Sequence, residues 1–364
     1  MRAKAAVTLK NQQGFEIKEI EIDEPKANEV LIRVVATGVC HTDAVARDLE
    51  GLVEMPAILG HEGSGVIEKI GTDVQNVKVG DYVVMSFASC HHCENCLTAH
   101  PSACESFNLL NFDGRTLDGS TPYHYEGKDL SIFFGQSSFS QYVVTKADNV
   151  IPVDVDNEED LSLLGPLGCG IQTGAGTVIN HLNPKAGESI VIFGTGAVGL
   201  SAIMAAKLTG CAHIIAVDIH EHRLELAKKL GATHTINGKM TNTVEEVRKI
   251  TKKGAHYAIE TTGVAPIVLQ AVHSIKPLGT VVIVGFTGEV TFNIQNDLMA
   301  EGKTMVGVIE GDSVPPLFIP KLVELYKQGK FPIDQLVAFY SLDQINQAFN
   351  DSSSGKVIKP IIKM

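Results

Sequence analysis

The run Ser189-Ile-Val-Ile-Phe193 leads directly into Gly194-Thr-Gly-Ala-Val-Gly199 and then into an alanine-rich stretch ending at Ala206. A β-branched strand, a G-x-G-x-x-G turn and a helix in that order predict the opening βα unit of a parallel sheet. The glycines allow the tight turn and close helix packing, and the helix N-terminus with its free N–H groups suits a pyrophosphate. Asp218 ends the next strand, nineteen residues after the third glycine, where a carboxylate accepts from adenosine ribose hydroxyls. Ile219 follows it and supplies no adjacent arginine for a 2′-phosphate, so the pattern predicts NAD in preference to NADP. The alternative is a strand–helix turn with no ligand.

Residues 189–206 also form 18 positions without a charge, the length at which a membrane span is considered. Gly194, Gly196 and Gly199 divide it into a strand and a helix, so no span is expected. Thirty Lys and Arg against 42 Asp and Glu leave a net charge of −12, with no basic run. Nucleic acid and anionic membrane are poor partners for such a chain, and a small molecule is the expected one. The N-terminus has neither the apolar core nor the cleavage site of an export signal, which predicts a cytoplasmic protein.

Strand-like runs at 29–37, 65–70 and 81–86 make the first hundred residues mostly β. From about residue 154 strands alternate with helices, at 190–193, 214–217, 257–260 and 280–284, as a parallel sheet requires. Between two of them, Glu221 to Leu230 places Leu224, Ala227 and Leu230 on one helical face and stops at Gly231. Pro315, Pro316 and Pro320 mark a second transition. A helix at 321–327 and a closing strand at 356–363 then return the tail to the first domain. The expected organisation is α/β: one domain from 1–170 and 311–364, and a Rossmann-type doubly wound domain over 171–310.

Seven cysteines are present, at 40, 90, 93, 96, 104, 169 and 211. Cys90, Cys93, Cys96 and Cys104 lie within fifteen residues in a loop lobe at about 87–108, a spacing that lets four thiolates converge on one Zn²⁺. An odd total and two-residue gaps argue against disulfides. Such a closed site is structural, and His91 and His92 are read as solvated loop residues. Cys40 opens Cys40-His-Thr-Asp43, His61 lies in Gly60-His-Glu62, and Cys169 sits between Gly168 and Gly170. Two thiolates and an imidazole leave a fourth zinc position open, with Glu62 as a reserve ligand and Asp43 as an orienting partner. Each residue alone would more often be core. Cys211 is read as core filler.

With the Gly60–Ile67 stretch, the cysteine lobe and the glycine motif together, the sequence resembles the zinc-containing medium-chain alcohol dehydrogenases along its whole length. Gly165–Gly176, Phe134-Gly-Gln-Ser-Ser-Phe139 and the segment from Phe318 look closest to bacterial benzyl-alcohol (aryl-alcohol) dehydrogenases. The resemblance implies a GroES-like β-barrel catalytic domain beside the Rossmann domain, an active site in the cleft between them, two Zn²⁺ per subunit, NAD, and a homotetramer. It implies Cys40, His61 and Cys169 as catalytic-zinc ligands, with Glu62 behind and Asp43 supporting His61. Thr42 would stand beside the substrate oxygen, and His41 and Lys359 at the cofactor pyrophosphate. Thr173 and Val198 would touch the nicotinamide, and Arg223 would lie near the adenosine ribose. One position departs from the pattern: Val45 stands where animal and yeast relatives carry a proton-passing His. Phe87, Phe112, Phe133 and Phe286 are candidates for an aromatic pocket. Aliphatic or allylic alcohols remain the alternative substrates, and a non-catalytic NAD(P)H-binding protein the alternative class.

Overall fold

The computed structural model describes residues 1–10, 14–49 and 51–364. The chain divides into one unit of Met1–Gly170, Val314–Gln328 and Ile333–Met364, and a second of Ile171–Ser313 with Gly329–Pro332. The chain leaves the second unit after Ser313, whereas the sequence suggested a boundary at 311. Residues 311–313 stay with the second unit because Asn180 Nδ2 donates to Gly311 O (3.2 Å) and to Ser313 Oγ (3.3 Å).

The first unit is built on Glu29–Gly38, whose apolar run is buried almost throughout. It pairs antiparallel with Gly63–Ile70, with Tyr142–Lys146 and with the C-terminal strand Lys359–Lys363. A second sheet carries Arg2–Thr8 between Glu16–Ile22 and Ala57–Ile58. Phe15, Tyr123, Phe133 and Phe139 pack in the core against this sheet, each worth about 1.5–3 kcal/mol for full burial. The helix expected at 321–327 begins earlier and spans Pro315–Lys327. Prolines in the first turn lose only N–H groups that have no partner inside the helix, so they start this helix instead of ending the preceding segment.

The second unit is the parallel sheet that the glycine motif predicted. Its strands are β1 (Ser189–Phe193), β2 (His213–Asp218), β3 (His234–Asn237), β4 (Ala255–Glu260), β5 (Ile275–Ile283) and β6 (Thr304–Gly307). They lie side by side in the order β3-β2-β1-β4-β5-β6, the doubly wound arrangement with a reversal of strand order between β1 and β4. All five β1 residues are buried. The uncharged run is therefore a core strand followed by a helix, Ala197–Leu208, that is buried from Gly199 to Ala206. Among the described residues no helix is long and apolar enough to cross a membrane.

Candidate metal centres and dinucleotide site

In the first unit Glu29–Gly38 ends just before Cys40, which caps the helix His41–Asp48. Asp43, in the first turn, is buried and accepts three hydrogen bonds: from Cys40 N (3.0 Å, Oδ2), from Gly60 N (3.0 Å, Oδ1) and from His61 Nδ1 (2.8 Å, Oδ1). The last contact assigns the proton to Nδ1 and leaves Nε2 as the lone-pair atom. His61 Nε2 is buried with no hydrogen-bond partner, as expected of a metal-ligating nitrogen. One ligand atom from each of Cys40, His61, Glu62 and Cys169 lies within 4.8 Å of the others. Burial disfavours charge on His61, but the Asp43 carboxylate and Cys40 raise its pKa well above the ordinary value. The Cys40 thiol is pushed well down by its hydrogen bond to Cys169, against the effect of burial, with His61 and Lys359 adding to the fall. A bound dication would displace the proton that these neighbours favour on the imidazole, and a depressed thiol, an imidazole nitrogen without a hydrogen-bond partner and a second sulfur form a donor set that fits a zinc ion.

More distant residues hold this set in place. Gln136 Nε2 donates to His61 O (3.1 Å) and Ser86 O (3.3 Å), while its Oε1 accepts from Gly63 N (3.2 Å). The Phe134 ring stacks on the imidazole at 4.5 Å. Sequence reasoning quoted this Phe134–Phe139 stretch without seeing that it frames His61. A Cβ on Gly168 would fall 2.0 Å from Met85 O, so the glycine beside Cys169 is required by a close backbone crossing. Thr42 Oγ1 lies 3.7 Å from Cys40 Sγ. His41 is exposed, and Val45 is half-buried on the same helix.

Lys359, expected at the cofactor pyrophosphate, is held within the first unit by Glu62. Its ammonium group is buried and donates to Glu62 Oε1 (2.9 Å), Glu62 Oε2 (2.8 Å) and Val39 O (3.1 Å), which occupies all three of its protons. Burial raises the Glu62 pKa and Lys359 opposes that rise. A carboxylate with no exposed surface needs a cation in contact, and Lys359 supplies it. Asp43→Asn should weaken zinc retention about 10–100-fold. Its amide keeps one acceptor oxygen and turns an NH₂ toward groups that already donate. Competition against a chromogenic chelator measures the loss, and unchanged retention would remove Asp43 from the support of His61.

The second cysteine group is closed. Ligand atoms of Cys90, Cys93, Cys96 and Cys104 lie within 4.8 Å of one another, brought together by the short helix Glu94–Leu97 and the turn at Pro101–Ala103. Backbone amides of Glu105 and Cys96 draw the Cys93 thiol down to about 6. Burial and the neighbouring Cys93 push Cys96 up to about 12. A dication would relieve this crowding of thiolates. His91 and His92 are exposed.

In the second unit Gly194 adopts φ +89°, and a Cβ on Gly199 would lie 1.9 Å from Gly194 O. These two glycines are required by the turn and by helix packing. Apart from its own chain neighbours, no atom of the described residues lies within 4 Å of a Cβ built on Gly196, at the helix N-cap, so the fold does not call for glycine there; a pyrophosphate against the backbone would. Asp218 accepts from Thr195 N and Oγ1 (both 2.7 Å), Ile219 N (2.7 Å) and His220 N (3.0 Å). Burial raises its pKa, but these bonds together hold the carboxyl below its ordinary value, so it is ionised at neutral pH. Arg223 Nε, five residues on, is buried without a hydrogen-bond partner. Thr173 is buried on the helix Gly170–Gly176, and Val198 is half-buried in the first turn after the glycines. Cys211 is buried, with burial pushing its thiol up, and needs no role beyond packing.

A doubly wound nucleotide sheet in one unit and a sulfur-and-imidazole donor set in the other define a metal-dependent dehydrogenase. The chain belongs to the zinc-binding medium-chain alcohol dehydrogenase family: residues 26–155 match the alcohol dehydrogenase GroES-like domain and residues 197–328 the zinc-binding dehydrogenase domain. It is 41% identical to geraniol dehydrogenase of Castellaniella defragrans over 99% of this chain and 97% of that protein. Two crystal structures are similar at 47% identity, each covering 100% of this chain and 99% of the other. One is an alcohol dehydrogenase zinc-binding domain protein from Burkholderia ambifaria (TM-score 0.96), the other benzyl alcohol dehydrogenase from Acinetobacter calcoaceticus (TM-score 0.95).

Proposed function

We propose that this chain oxidises a primary, benzyl-type alcohol to its aldehyde, reversibly, with two zinc ions per subunit and NAD. The observation that carries the aromatic preference is the ring cluster at His61. Phe133 meets the imidazole edge-on at 5.4 Å and Phe134 stacks on it at 4.5 Å. Phe112 touches both phenylalanines, and Phe87 joins through Phe107. Phe87, Phe133 and Phe134 are buried behind the half-buried Phe112, and a substrate ring against that aromatic face would gain offset and edge contacts. Phe286 belongs to the second unit, is 66% exposed and takes no part in this cluster. The relative named for geraniol supports a second reading, an allylic alcohol, in which the carbinol again adjoins an sp² carbon.

Cys40, Cys169 and His61 would hold the catalytic zinc, with Asp43 fixing the imidazole and Lys359 restraining Glu62. A bound zinc would lower the pKa of the alcohol hydroxyl by several units toward neutrality, each worth about 1.36 kcal/mol, and NAD would supply the hydride acceptor. Thr42 takes the proton from the alcohol oxygen. Val45 cannot relay it further, so water or the cofactor ribose carries it out. The glycine turn binds the pyrophosphate, His41 adds a donor there, and Asp218 takes the adenosine ribose with Arg223 beside it. An ionised Asp218 repels a 2′-phosphate, which favours NAD. The family resemblance supports a cytoplasmic homotetramer.

The test is kcat/KM for benzyl alcohol, cinnamyl alcohol, geraniol, hexanol and ethanol, with NAD and with NADP, beside zinc content. Benzyl alcohol with NAD should lead, and hexanol ahead of both aryl and allylic alcohols would overturn the assignment. Better turnover with NADP would overturn the cofactor choice. Thr42→Ala should lower kcat about 100-fold, the lower end for a positioned proton acceptor, and leave NADH affinity within about twofold. An unaltered kcat removes the relay.

A further inference from the structure

The loop that follows β6 contains three successive residues in the left-handed region: Glu310 (φ 52°), Gly311 (φ 67°) and Asp312 (φ 49°). Two of them carry side chains that disfavour this backbone, a form of strain that persists only where surrounding structure enforces it and that gathers at functional sites. Here the enforcing structure is the helix Gly170–Gly176. A Cβ on Gly176 would lie 2.4 Å from Gly311 O, and the Gly311 Cβ position is 2.3 Å from Gln172 O. The loop is thus pressed backbone to backbone against the helix. The seating delivers a buried carboxylate to the helix face: Glu310 Oε2 accepts from Gln172 Nε2 (3.1 Å) and from Thr173 Oγ1 (3.4 Å).

Topology gives that carboxylate a place along the dinucleotide. In this strand order the ligand crosses outside the carboxyl ends of the strands at the reversal between β1 and β4. Asp218, at the end of β2, marks the adenosine side, so the nicotinamide half lies toward β4, β5 and β6. Glu310 follows the carboxyl end of β6 by three residues. Thr173 is also tied to the glycine turn, because a Cβ on the adjacent Gly174 would lie 2.0 Å from Val198 O.

We propose that Glu310 is a positioning residue for the nicotinamide end of the dinucleotide, acting through Thr173 and Gln172. This rests on the reading of the second unit as the NAD site. Glu310 fixes the Thr173 hydroxyl and the Gln172 amide from behind, so the surface offered to the ring is set before the cofactor arrives. The adenosine and pyrophosphate contacts do not depend on it.

Binding of NADH, NAD⁺ and ADP-ribose distinguishes the two ends. The chain has no tryptophan, so NADH fluorescence reports directly, and the other two are read by competition. Glu310→Ala should weaken NAD⁺ and NADH about tenfold, a cost in line with a displaced positioning group, and leave ADP-ribose within about twofold. Glu310→Gln, which keeps an acceptor oxygen, should recover most of the loss. On a Thr173→Val background Glu310→Ala should add less than about threefold, as expected for residues acting through one contact. Equal weakening of ADP-ribose, NAD⁺ binding within twofold of the parent, or full additivity with Thr173→Val overturns the proposal. If Glu310→Ala does not fold, Thr173→Val alone decides: no selective loss of NAD⁺ against ADP-ribose overturns it. A parent chain that binds none of the three removes the dinucleotide reading as well.

Discussion

His61→Ala should abolish alcohol oxidation, lowering kcat/KM by at least about 10⁴-fold, and should reduce zinc from two ions per subunit to one. The expectation follows from the donor set. His61 offers the nitrogen whose Nε2 is buried and unpartnered, and no other described histidine is part of the group that includes Cys40, Glu62 and Cys169. Two sulfurs alone do not hold a catalytic zinc against exchange. The acidification that makes hydride loss feasible then disappears, and the neutral Thr42 hydroxyl, which passes a proton on only once the alcohol is acidified, cannot replace it. The fold should survive, since Asp43 retains its bonds from Cys40 N and Gly60 N. Zinc analysis, steady-state rates and circular dichroism on the same preparation check all three points. Full activity with one zinc lost would mean that the ion held by His61 is not the catalytic one.

Cys93→Ala should have the opposite profile. It removes one of four sulfurs from a closed group in a lobe with little apolar core of its own, where Leu97 is 73% exposed. The thermal midpoint should fall by roughly 10 °C or more, because structural zinc binding is coupled to folding. Zinc again falls to one per subunit, while kcat of the folded enzyme changes less than about tenfold. Zinc in the lobe should also be lost more readily at low pH. With Cys93 titrating at about 6 and Cys96 at about 12, ion binding displaces protons, and acid reverses it. Scanning fluorimetry with and without chelator, from pH 5 to 8, measures both effects. A midpoint unchanged by the substitution would show that the lobe stands without its ion.

Where a feature is local in the chain, the amino acids already declared it. Four cysteines within fifteen residues can meet whatever the rest of the molecule does. The turn from Gly194 to Gly199 was legible for the same reason, since helix packing and backbone dihedrals there depend on immediate neighbours. The helix Glu221–Leu230 has the bounds that its apolar spacing and Gly231 implied. Pro315 and Pro316 do stand where the chain passes from one unit to the other, after Ser313, but the helix expected at 321–327 already starts at Pro315, because a proline in a first turn reads in sequence like one in a linker.

Covalent spacing and side-chain periodicity act over a few residues, and they were enough to determine that this chain contains a nucleotide-type parallel sheet, a thiolate lobe and a separate β-rich unit. Only the tertiary structure decided which distant groups share one low-dielectric space. It set the orphaned His61 nitrogen beside two sulfurs, turned Lys359 onto Glu62, drew Phe133 and Phe134 around the imidazole, and left Phe286 exposed on the second unit. It also pressed the strained Glu310 turn against Thr173. Burial is the reason: a charge or polar atom removed from water must find its partner wherever the fold brings one, and that partner can stand hundreds of residues away.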